Sequence, residues 1–284
     1  MRVLVTGANG QLGHDLVEVC AAAGDDVIAA GRAELDVGDH GAVRAFVADT
    51  RPDTIVNCAA WTAVDACEGD PARAERDNAL AVRWLRAAAD DVGAHLVQIS
   101  TDYVFPGDLD RPYREDDATG PRSVYGASKL AGELEAGPDA AVVRTAWVCG
   151  EHGANMVRTV LRLLDGGAPR LAFVADQRGN PTFTAELAPV VRALAAERAT
   201  GVFHATNTAT GADGAPGLSW YEFVQAIVAA AGGDPAIVHP ITTAELDPPR
   251  PAPRPANSVL ASTRLAPLGD FREPLARLVA ALRS

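Results

Sequence analysis

The chain has 284 residues, of which 48% are hydrophobic and 22% are charged, so it can bury a sizeable core. Its formal net charge is -12 and no run of Lys or Arg is visible, which disfavours a nucleic-acid partner. No stretch reaches the roughly 20 apolar residues of a membrane-spanning helix, so we expect no membrane association. The four cysteines form no C-x-x-C pair, which is typical of reduced thiols in the cytoplasm, and the six histidines are scattered singly, which predicts no metal site.

The N-terminal stretch predicts a dinucleotide site, because a short apolar strand runs directly into a glycine turn and a helical pattern. The turn carries Gly7, Gly10 and Gly13 with the spacing G-x-x-G-x-x-G, whereas the standard fingerprint is G-x-G-x-x-G. Glycines allow the backbone to approach a pyrophosphate closely, and free N–H groups at a helix N-terminus favour its charge. We therefore expect this turn, with Gln11 and Leu12, to bind a cofactor; an ordinary tight turn is the alternative.

The end of the second strand, residues 26–30, bears on the choice of cofactor. An acid there would accept a hydrogen bond from a ribose 2′-hydroxyl, but the chain has Gly31 and Arg32 instead. A guanidinium suits a 2′-phosphate, which favours NADPH over NADH; the alternative is that Arg32 is a solvated loop residue. The following Asp36 and Val37 are placed to lie beside an adenine ring.

Strands and helices continue to alternate, which predicts a doubly wound parallel sheet in an α/β fold. A near-continuous apolar run over residues 54–60 reads as a buried parallel strand, and a fourth strand covers residues 95–100. Ligands bind at the carboxyl edge of such sheets, so we expect Ala60, Trp61 and Thr62 to border the cofactor.

A hydroxyl, a phenol and an amine supply the candidate chemistry. Tyr125 and Lys129 are four residues apart on a predicted helix and therefore share one face. We expect the ammonium to lower the Tyr125 pKa toward an acid/base range, and Thr101 at the end of the fourth strand to hold a substrate carbonyl. The alternative is a surface helix with an incidental pair, since such pairs are common. The loop 106–121 is expected to border the site.

From residue 150 onward the pattern is less regular. We predict a dinucleotide-binding domain over residues 1–150 and a smaller substrate-binding lobe over residues 151–284, with some segments of the lobe returning to the first domain. A helix with a serine N-cap is expected from Ser219 to Ala231. The proline-rich run 248–258 is predicted to be irregular, and it carries Arg254.

The order of these motifs resembles the extended short-chain dehydrogenase/reductase superfamily and, within it, the family of dTDP-4-dehydrorhamnose reductases. This likeness covers nearly the whole chain. It is carried by V-L-V-T-G-A-N-G-Q-L-G at 3–13, A-A-W-T-A-V-D at 59–65, S-T-D-Y-V-F at 100–105, Y-G-A-S-K-L-A-G-E at 125–133, R-T-A-W-V at 144–148, D-Q-x-G-x-P-T at 176–182 and R-P-x-N-S at 254–258.

The resemblance implies a Rossmann-like fold and a homodimer. The implied reaction is NADPH-dependent reduction of the 4-keto group of dTDP-4-dehydro-6-deoxy-L-mannose to dTDP-L-rhamnose. Tyr125 would donate the proton, Lys129 would bind the nicotinamide ribose, and Thr101 would orient the carbonyl. The implied contacts to the substrate are Thr62, Val64, Thr101, Asp102, Tyr103, Trp147, Asn155, Arg254 and Asn257.

Two other functions are compatible with the same motifs. A sugar-nucleotide dehydratase or epimerase shares the fold, but related dehydratases have Asp-Glu after the threonine, where this chain has Asp102 and Tyr103. A regulatory subunit similar to the methionine adenosyltransferase beta subunit would bind NADP without turnover. Two positions depart from the family pattern, because Gly31-Arg32 replaces a common acid and Ala261 follows the R-P-x-N-S motif where an acid is usual.

Overall fold

A six-stranded parallel β-sheet forms the centre of the chain, and a computed structural model describes residues 1–284. Its strands are β1 (Arg2–Thr6), β2 (Asp26–Ala30), β3 (Thr54–Asn57), β4 (His95–Thr101), β5 (Ala141–Thr145) and β10 (Gly201–His204). Their spatial order is β10-β5-β4-β3-β1-β2, which confirms the predicted doubly wound sheet. The order reverses between β1 and β3, and the carboxyl ends of these strands therefore flank the crevice where ligands bind in such folds.

Helices cover both faces of the sheet. They are α1 (Gln11–Ala22), α2 (His40–Thr50), α3 (Val64–Gly69), α4 (Pro71–Glu75), α5 (Ala81–Val92), α6 (Val124–Ala136) and α8 (Thr184–Ala196). Along β1, Val3 and Val5 face a core shared with α1 and α8, whereas Leu4 faces a second core shared with α2 and α5. This alternation follows the two-residue period of a strand whose two faces are both buried. No helix of the chain has the length and apolar character needed to cross a membrane.

A third core lies in the C-terminal half, between α7 (Met156–Asp165), α9 (Trp220–Ala230) and α10 (Arg272–Arg283). Short paired strands surround it, namely β6 (Val148–Cys149) with β9 (Thr182–Phe183), β8 (Arg178–Gly179) with β12 (Leu218–Ser219), β7 (Leu171–Val174) with β13 (Val238–Ile241), and β11 (Asn207–Thr208) with β14 (Leu268–Asp270). Ser219 and Glu222 form a capping box at the start of α9, as the sequence predicts for its serine N-cap. The domain boundary at residue 150 stays a prediction.

Two elements differ from the prediction in ways that shape the site. The strand predicted over residues 54–60 ends at Asn57, because the Asn57 side chain takes over the local hydrogen bonds by accepting from Thr6 Oγ1 and from the Ala59 amide. The long helix that the sequence pattern predicts from Asp77 to Val92 begins instead with a π-helical segment, Arg76–Leu80, which joins α4 to α5. This bulge carries Asn78, and bulges of this kind are frequent at functional sites.

Candidate active site

The glycine turn lies between β1 and α1 at the switch point of the sheet. Gly7 has φ 64°, and a Cβ on this residue would lie 2.7 Å from the Ala59 amide nitrogen. A Cβ on Gly13 would overlap the Gly7 carbonyl oxygen, so this helix packs against its own turn more closely than any side chain allows. The first turn of α1 leaves its amides facing the cleft, which is the arrangement that binds a pyrophosphate.

A cavity of about 270 Å³ lies beside this turn at the end of β2, and Arg32, Asp36 and Val37 all line it. Arg32 is 67% exposed and its nearest acid, Asp36, is 3.7 Å away, so its guanidinium is available to a ligand. Arg73 also lines the cavity, with its guanidinium 4.3 Å above the Trp61 ring, and no sequence motif pointed to it.

Asn78 of the π-helical segment fixes the loop that follows β3. Its Oδ1 accepts from the Trp61 amide at 2.8 Å, and its Nδ2 donates to the Trp61 carbonyl and to Ser128 Oγ, each at 3.0 Å. Ser128 Oγ donates in turn to the Tyr125 carbonyl at 2.8 Å. The bulge therefore joins the cofactor-side loop to the helix that carries Tyr125 and Lys129, a connection between residues about 50 apart that sequence reasoning missed.

Tyr125 and Lys129 lie on the first turns of α6, whose start is fixed by Ser123 Oγ accepting from the Gly126 amide at 3.1 Å. Both side chains are buried, at 8% and 4% exposure, and both line a second cavity of about 580 Å³ with Thr101. The predicted triad is thus brought together in one cleft, with the glycine turn at its edge. This cavity is large enough for a drug-sized or nucleotide ligand.

Lys129 contacts a backbone carbonyl instead of the phenol. Its Nζ donates to the Ile99 carbonyl at 2.7 Å, and the same oxygen accepts from Gln98 Nε2 at 2.7 Å. Gln98 Oε1 accepts from Asn57 Nδ2 at 2.7 Å. A chain of hydrogen bonds between buried amide side chains therefore runs from Asn57 at the end of β3, through Gln98 on β4, to the carbonyl that accepts from Lys129. Because each polar group has a partner, the network holds the ammonium in one position.

Burial has the largest effect on the pKa values of Tyr125 and Lys129. It raises the pKa of Tyr125 above its usual value, whereas a hydrogen bond with Thr101 acts in the opposite direction. Burial lowers the pKa of Lys129 to about 8, and the Glu133 carboxylate opposes that shift. The prediction that Lys129 lowers the Tyr125 pKa is therefore wrong for this arrangement, because the ammonium is directed at Ile99 and the phenol is desolvated.

Asp102 adds a buried carboxyl next to the triad. Its Oδ1 accepts from Thr101 Oγ1 at 2.9 Å, while its Oδ2 is buried without a hydrogen-bond partner. Burial raises the pKa of Asp102 to about 6. Tyr103 follows it, with its ring edge-on to the Tyr125 ring at a centroid distance of 5.7 Å.

The far wall of the cleft is aromatic. Trp147 and Trp220 both line the cavity and stack with ring centroids 3.6 Å apart. Trp147 has φ 45°, a conformation rare for an aromatic residue, and a Cβ on Gly179 would lie 2.6 Å from its ring. The Trp147 ring therefore packs between Gly179 and the ring of Trp220 on α9. The sequence did not predict the contact with Trp220.

Three predicted substrate residues are already engaged with the protein. Arg254 forms a bidentate ion pair with Asp65 at 2.5 and 2.7 Å, and this hydrogen bonding lowers the pKa of Asp65. Asn257 donates to the carbonyls of Leu109 and Arg111 and fixes the loop 106–121. Asn155 caps α7.

These three residues do not line either of the two cavities, whereas Thr62, Val64, Thr101, Asp102, Tyr103 and Trp147 line the larger one. Asn155 Nδ2 donates to Gln11 Oε1 at 2.9 Å, and Gln11 itself lines the larger cavity. Direct substrate contact from Asn155 and Asn257 stays a prediction, while in this structure their amide groups form protein hydrogen bonds to Gln11 and to the loop 106–121.

Comparisons with known proteins agree on one family. The profile of the RmlD substrate binding domain matches residues 1–283. A dTDP-4-dehydrorhamnose reductase of Streptomyces griseus is 46% identical over 99% of this chain and 94% of its own length. A probable dTDP-4,6-dihydroxy-2-methyloxan-3-one 4-ketoreductase of Streptomyces antibioticus is also 46% identical, over 97% of this chain and 93% of its own. The crystal structure of a Bacillus anthracis dTDP-4-dehydrorhamnose reductase in complex with NADP, 34% identical, superposes with a TM-score of 0.91 over 99% of both chains.

Proposed function

The chain belongs to the RmlD family of dTDP-4-dehydrorhamnose reductases, and from that premise we propose that it reduces the C4 carbonyl of dTDP-4-dehydro-6-deoxy-L-mannose to give dTDP-L-rhamnose. One observation carries the proposal: Thr101, Tyr125 and Lys129 converge in a cleft whose edge is a glycine turn at the switch point of a parallel sheet. The product is an alcohol, so the reaction needs one hydride at C4 and one proton at O4.

Bound NADPH supplies the hydride. Tyr125 donates the proton to O4, and its raised pKa keeps the phenol protonated until charge develops on that oxygen. To hydrogen-bond the same carbonyl and hold it against the phenol, Thr101 would turn its hydroxyl away from Asp102 Oδ1, to which it donates at 2.9 Å. Lys129, fixed by the Ile99 carbonyl, binds the nicotinamide ribose. Each role is performed by a buried group, so water competes little with the substrate.

The cofactor site is proposed along the turn and the smaller cavity. Gly7, Gly10, Gln11, Leu12 and Gly13 would hold the pyrophosphate and ribose, and Asp36 with Val37 would border the adenine. Arg32 would bind the 2′-phosphate, since it is exposed and only loosely paired. Ala60, Trp61 and Thr62 would complete the wall between this cavity and the cleft.

The substrate would lie against the opposite wall. Trp147, stacked on Trp220, offers a rigid face for the sugar, and Thr62, Val64, Asp102 and Tyr103 line the same cavity. Arg254 is our candidate cation for the diphosphate, although it lines neither cavity, and it would have to exchange part of its pairing with Asp65 for the ligand. Location in the cytoplasm is supported by four free cysteines, and a homodimer is supported by the family resemblance.

The nearest competing function is reduction of a different dTDP-4-keto sugar, favoured by the Streptomyces antibioticus relative named as a 4-ketoreductase of another sugar. Dehydration is disfavoured because Tyr103 stands where a second carboxylate is needed. A regulatory subunit without turnover has no need of a buried Thr, Tyr and Lys in one cleft.

Tyr125→Phe tests the proposal. We expect the variant to lose about 10²- to 10⁴-fold in turnover while NADPH affinity stays within a few-fold, because the phenol acts in the transition state. The matched control is Tyr221→Phe, which removes a phenol on α9 outside the cleft and should leave turnover unchanged. Unchanged turnover in Tyr125→Phe would contradict the assignment of the proton donor.

A further inference from the structure

Two histidines from distant parts of the chain meet at the rim of the cleft. His14 lies on α1, and His152 lies on the turn 151–154 that precedes α7. Their rings are stacked, with centroids 3.5 Å apart and planes 27° from parallel. The six histidines are scattered singly in the sequence, but the fold brings together these two, which are 138 positions apart (152 minus 14).

Carboxylates complete the cluster. One ligating atom from each of His14, Asp15 and His152 lies within 4.8 Å of the other two, and all three residues are half-buried. His14 Nδ1 is itself buried and has no hydrogen-bond partner. Its nearest acid is Glu18, one helical turn further along, with an oxygen 3.8 Å away and thus beyond hydrogen-bond distance.

This donor set has a clear chemical preference. Two neutral imidazoles and a carboxylate bind divalent transition metals such as Zn²⁺ and Co²⁺, whereas Mg²⁺ and Ca²⁺ prefer oxygen ligands. Zn–N and Zn–O bonds of about 2.0–2.2 Å bring ligand atoms to about 3.4 Å of one another, and the three ligand atoms here lie within 4.8 Å, so the cluster contracts by at most about 1.4 Å when an ion binds. Side-chain rotation can supply that movement, because the three residues are only half-buried.

The backbone around the cluster is already positioned. Gln11 Nε2 donates to the Ala154 carbonyl at 3.2 Å, and Gln11 Oε1 accepts from the Gly150 amide at 3.0 Å. These contacts hold the turn 151–154 against the first turn of α1, so the two histidines meet on a supported scaffold. A site whose supporting residues are fixed in this way loses less entropy when an ion binds.

We propose that His14, Asp15 and His152 form a binding site for one divalent transition-metal ion, with Glu18 or water completing its coordination. The ion joins the turn 151–154 to α1. Gly153 and Ala154 of this turn line the same cavity as Gly10 and Gly13, so the ion fixes the rim of the cleft without touching the triad.

The experiment titrates the purified, chelator-treated full chain with Co²⁺ and records visible absorption. Wild type should bind about one ion per chain and develop d–d bands, and His14→Gln and His152→Ala should each weaken binding about tenfold or more. His239→Ala is the matched control, since that histidine lies on β13 outside the cluster and should leave binding unchanged.

Thermal unfolding gives a second readout. At Zn²⁺ about a hundredfold above its Kd, wild type and His239→Ala should gain about 5 °C or more in Tm, and the two cluster variants should gain little. Equal binding in wild type and in the cluster variants, or no saturable binding below about 1 mM, would overturn the proposal. Neither readout uses the sugar substrate, so failure here is distinguishable from failure of the proposed reductase activity.

Discussion

The ion pair between Glu133 and Arg144 offers the sharpest test of how the site is held. Glu133 is one turn beyond Lys129 on α6, and its oxygens accept from Arg144 Nε at 2.9 Å and from Nη2 at 2.7 Å. The side chains are 6% and 5% exposed, and Ser100 Oγ donates to the same carboxylate. Glu133→Gln keeps the shape but removes the charge, and so leaves the guanidinium buried without its counterion.

Breaking one side of a buried pair costs about 3–5 kcal/mol, and we expect about 3 kcal/mol here because the glutamine amide oxygen retains one hydrogen bond. The matched control lies on the same helix, where Glu135 forms an equally short bidentate pair with Arg83 in which the arginine is 57% exposed. Glu135→Gln should cost about 0.5 kcal/mol or less, since exposed pairs contribute little.

The assay is urea-induced unfolding of the three proteins, followed by circular dichroism at pH 7 under conditions where refolding is complete. We expect a large fall in midpoint for Glu133→Gln and almost none for Glu135→Gln. The Glu133 charge also opposes the lowering of the Lys129 pKa, so this pKa should be lower still in Glu133→Gln. The loss of activity at alkaline pH should therefore begin at a lower pH in this variant than in wild type. Equal midpoints for the two variants would refute the reasoning, since burial would then not set the strength of the pair.

Three further changes test separate parts of the site. Arg32→Ala should weaken NADPH about tenfold or more and NADH little, measured by fluorescence titration; equal losses would make Arg32 a spectator. Gly13→Ala should abolish NADPH binding because its Cβ meets the Gly7 carbonyl, whereas Gly69→Ala, with open space at that position, should bind normally. Burial raises the pKa of Asp102 from 3.8 to about 6 in the folded state. Between these pH values the folded state binds more protons than the unfolded state, so the free energy of unfolding of wild type falls as pH rises through that range. In Asp102→Asn, urea midpoints should lack this fall, which amounts to about 3 kcal/mol at most; an unchanged pH dependence would contradict the burial argument.

Local patterns predicted the parts of the site that local physics determines. The strand, turn and helix around Gly7 follow from glycine spacing and from buried apolar runs, and the pairing of Tyr125 with Lys129 follows from helical geometry. Thr101 was found because strand β4 ends in two hydroxyl residues, Ser100 and Thr101, at the carboxyl edge of the sheet. In each case the sequence signal lies within a few consecutive residues.

Contacts between distant segments were not predictable in this way. Arg254 pairs with Asp65 across 189 positions, and the Trp147 ring is held by Trp220 from another helix. A single sequence does not show that an arginine proposed to bind a ligand is already paired with an aspartate from a distant segment. The Lys129 ammonium likewise points toward the Ile99 carbonyl at the end of β4 and not toward the phenol. This contact joins two elements that are distant in sequence, so the sequence alone could not predict it.

The central claim is delivery of hydride to C4 and a proton to O4 of a dTDP-4-keto-6-deoxy sugar. The most direct measurement incubates the enzyme with dTDP-4-dehydro-6-deoxy-L-mannose and NADPH deuterated at nicotinamide C4, and analyses the product by NMR and mass spectrometry. We expect one NADPH oxidised per sugar and deuterium at C4 of dTDP-L-rhamnose, with the Tyr125→Phe variant inactive. Sugar turnover without net NADPH oxidation, or a product lacking deuterium at C4, would contradict the assignment as a 4-ketoreductase.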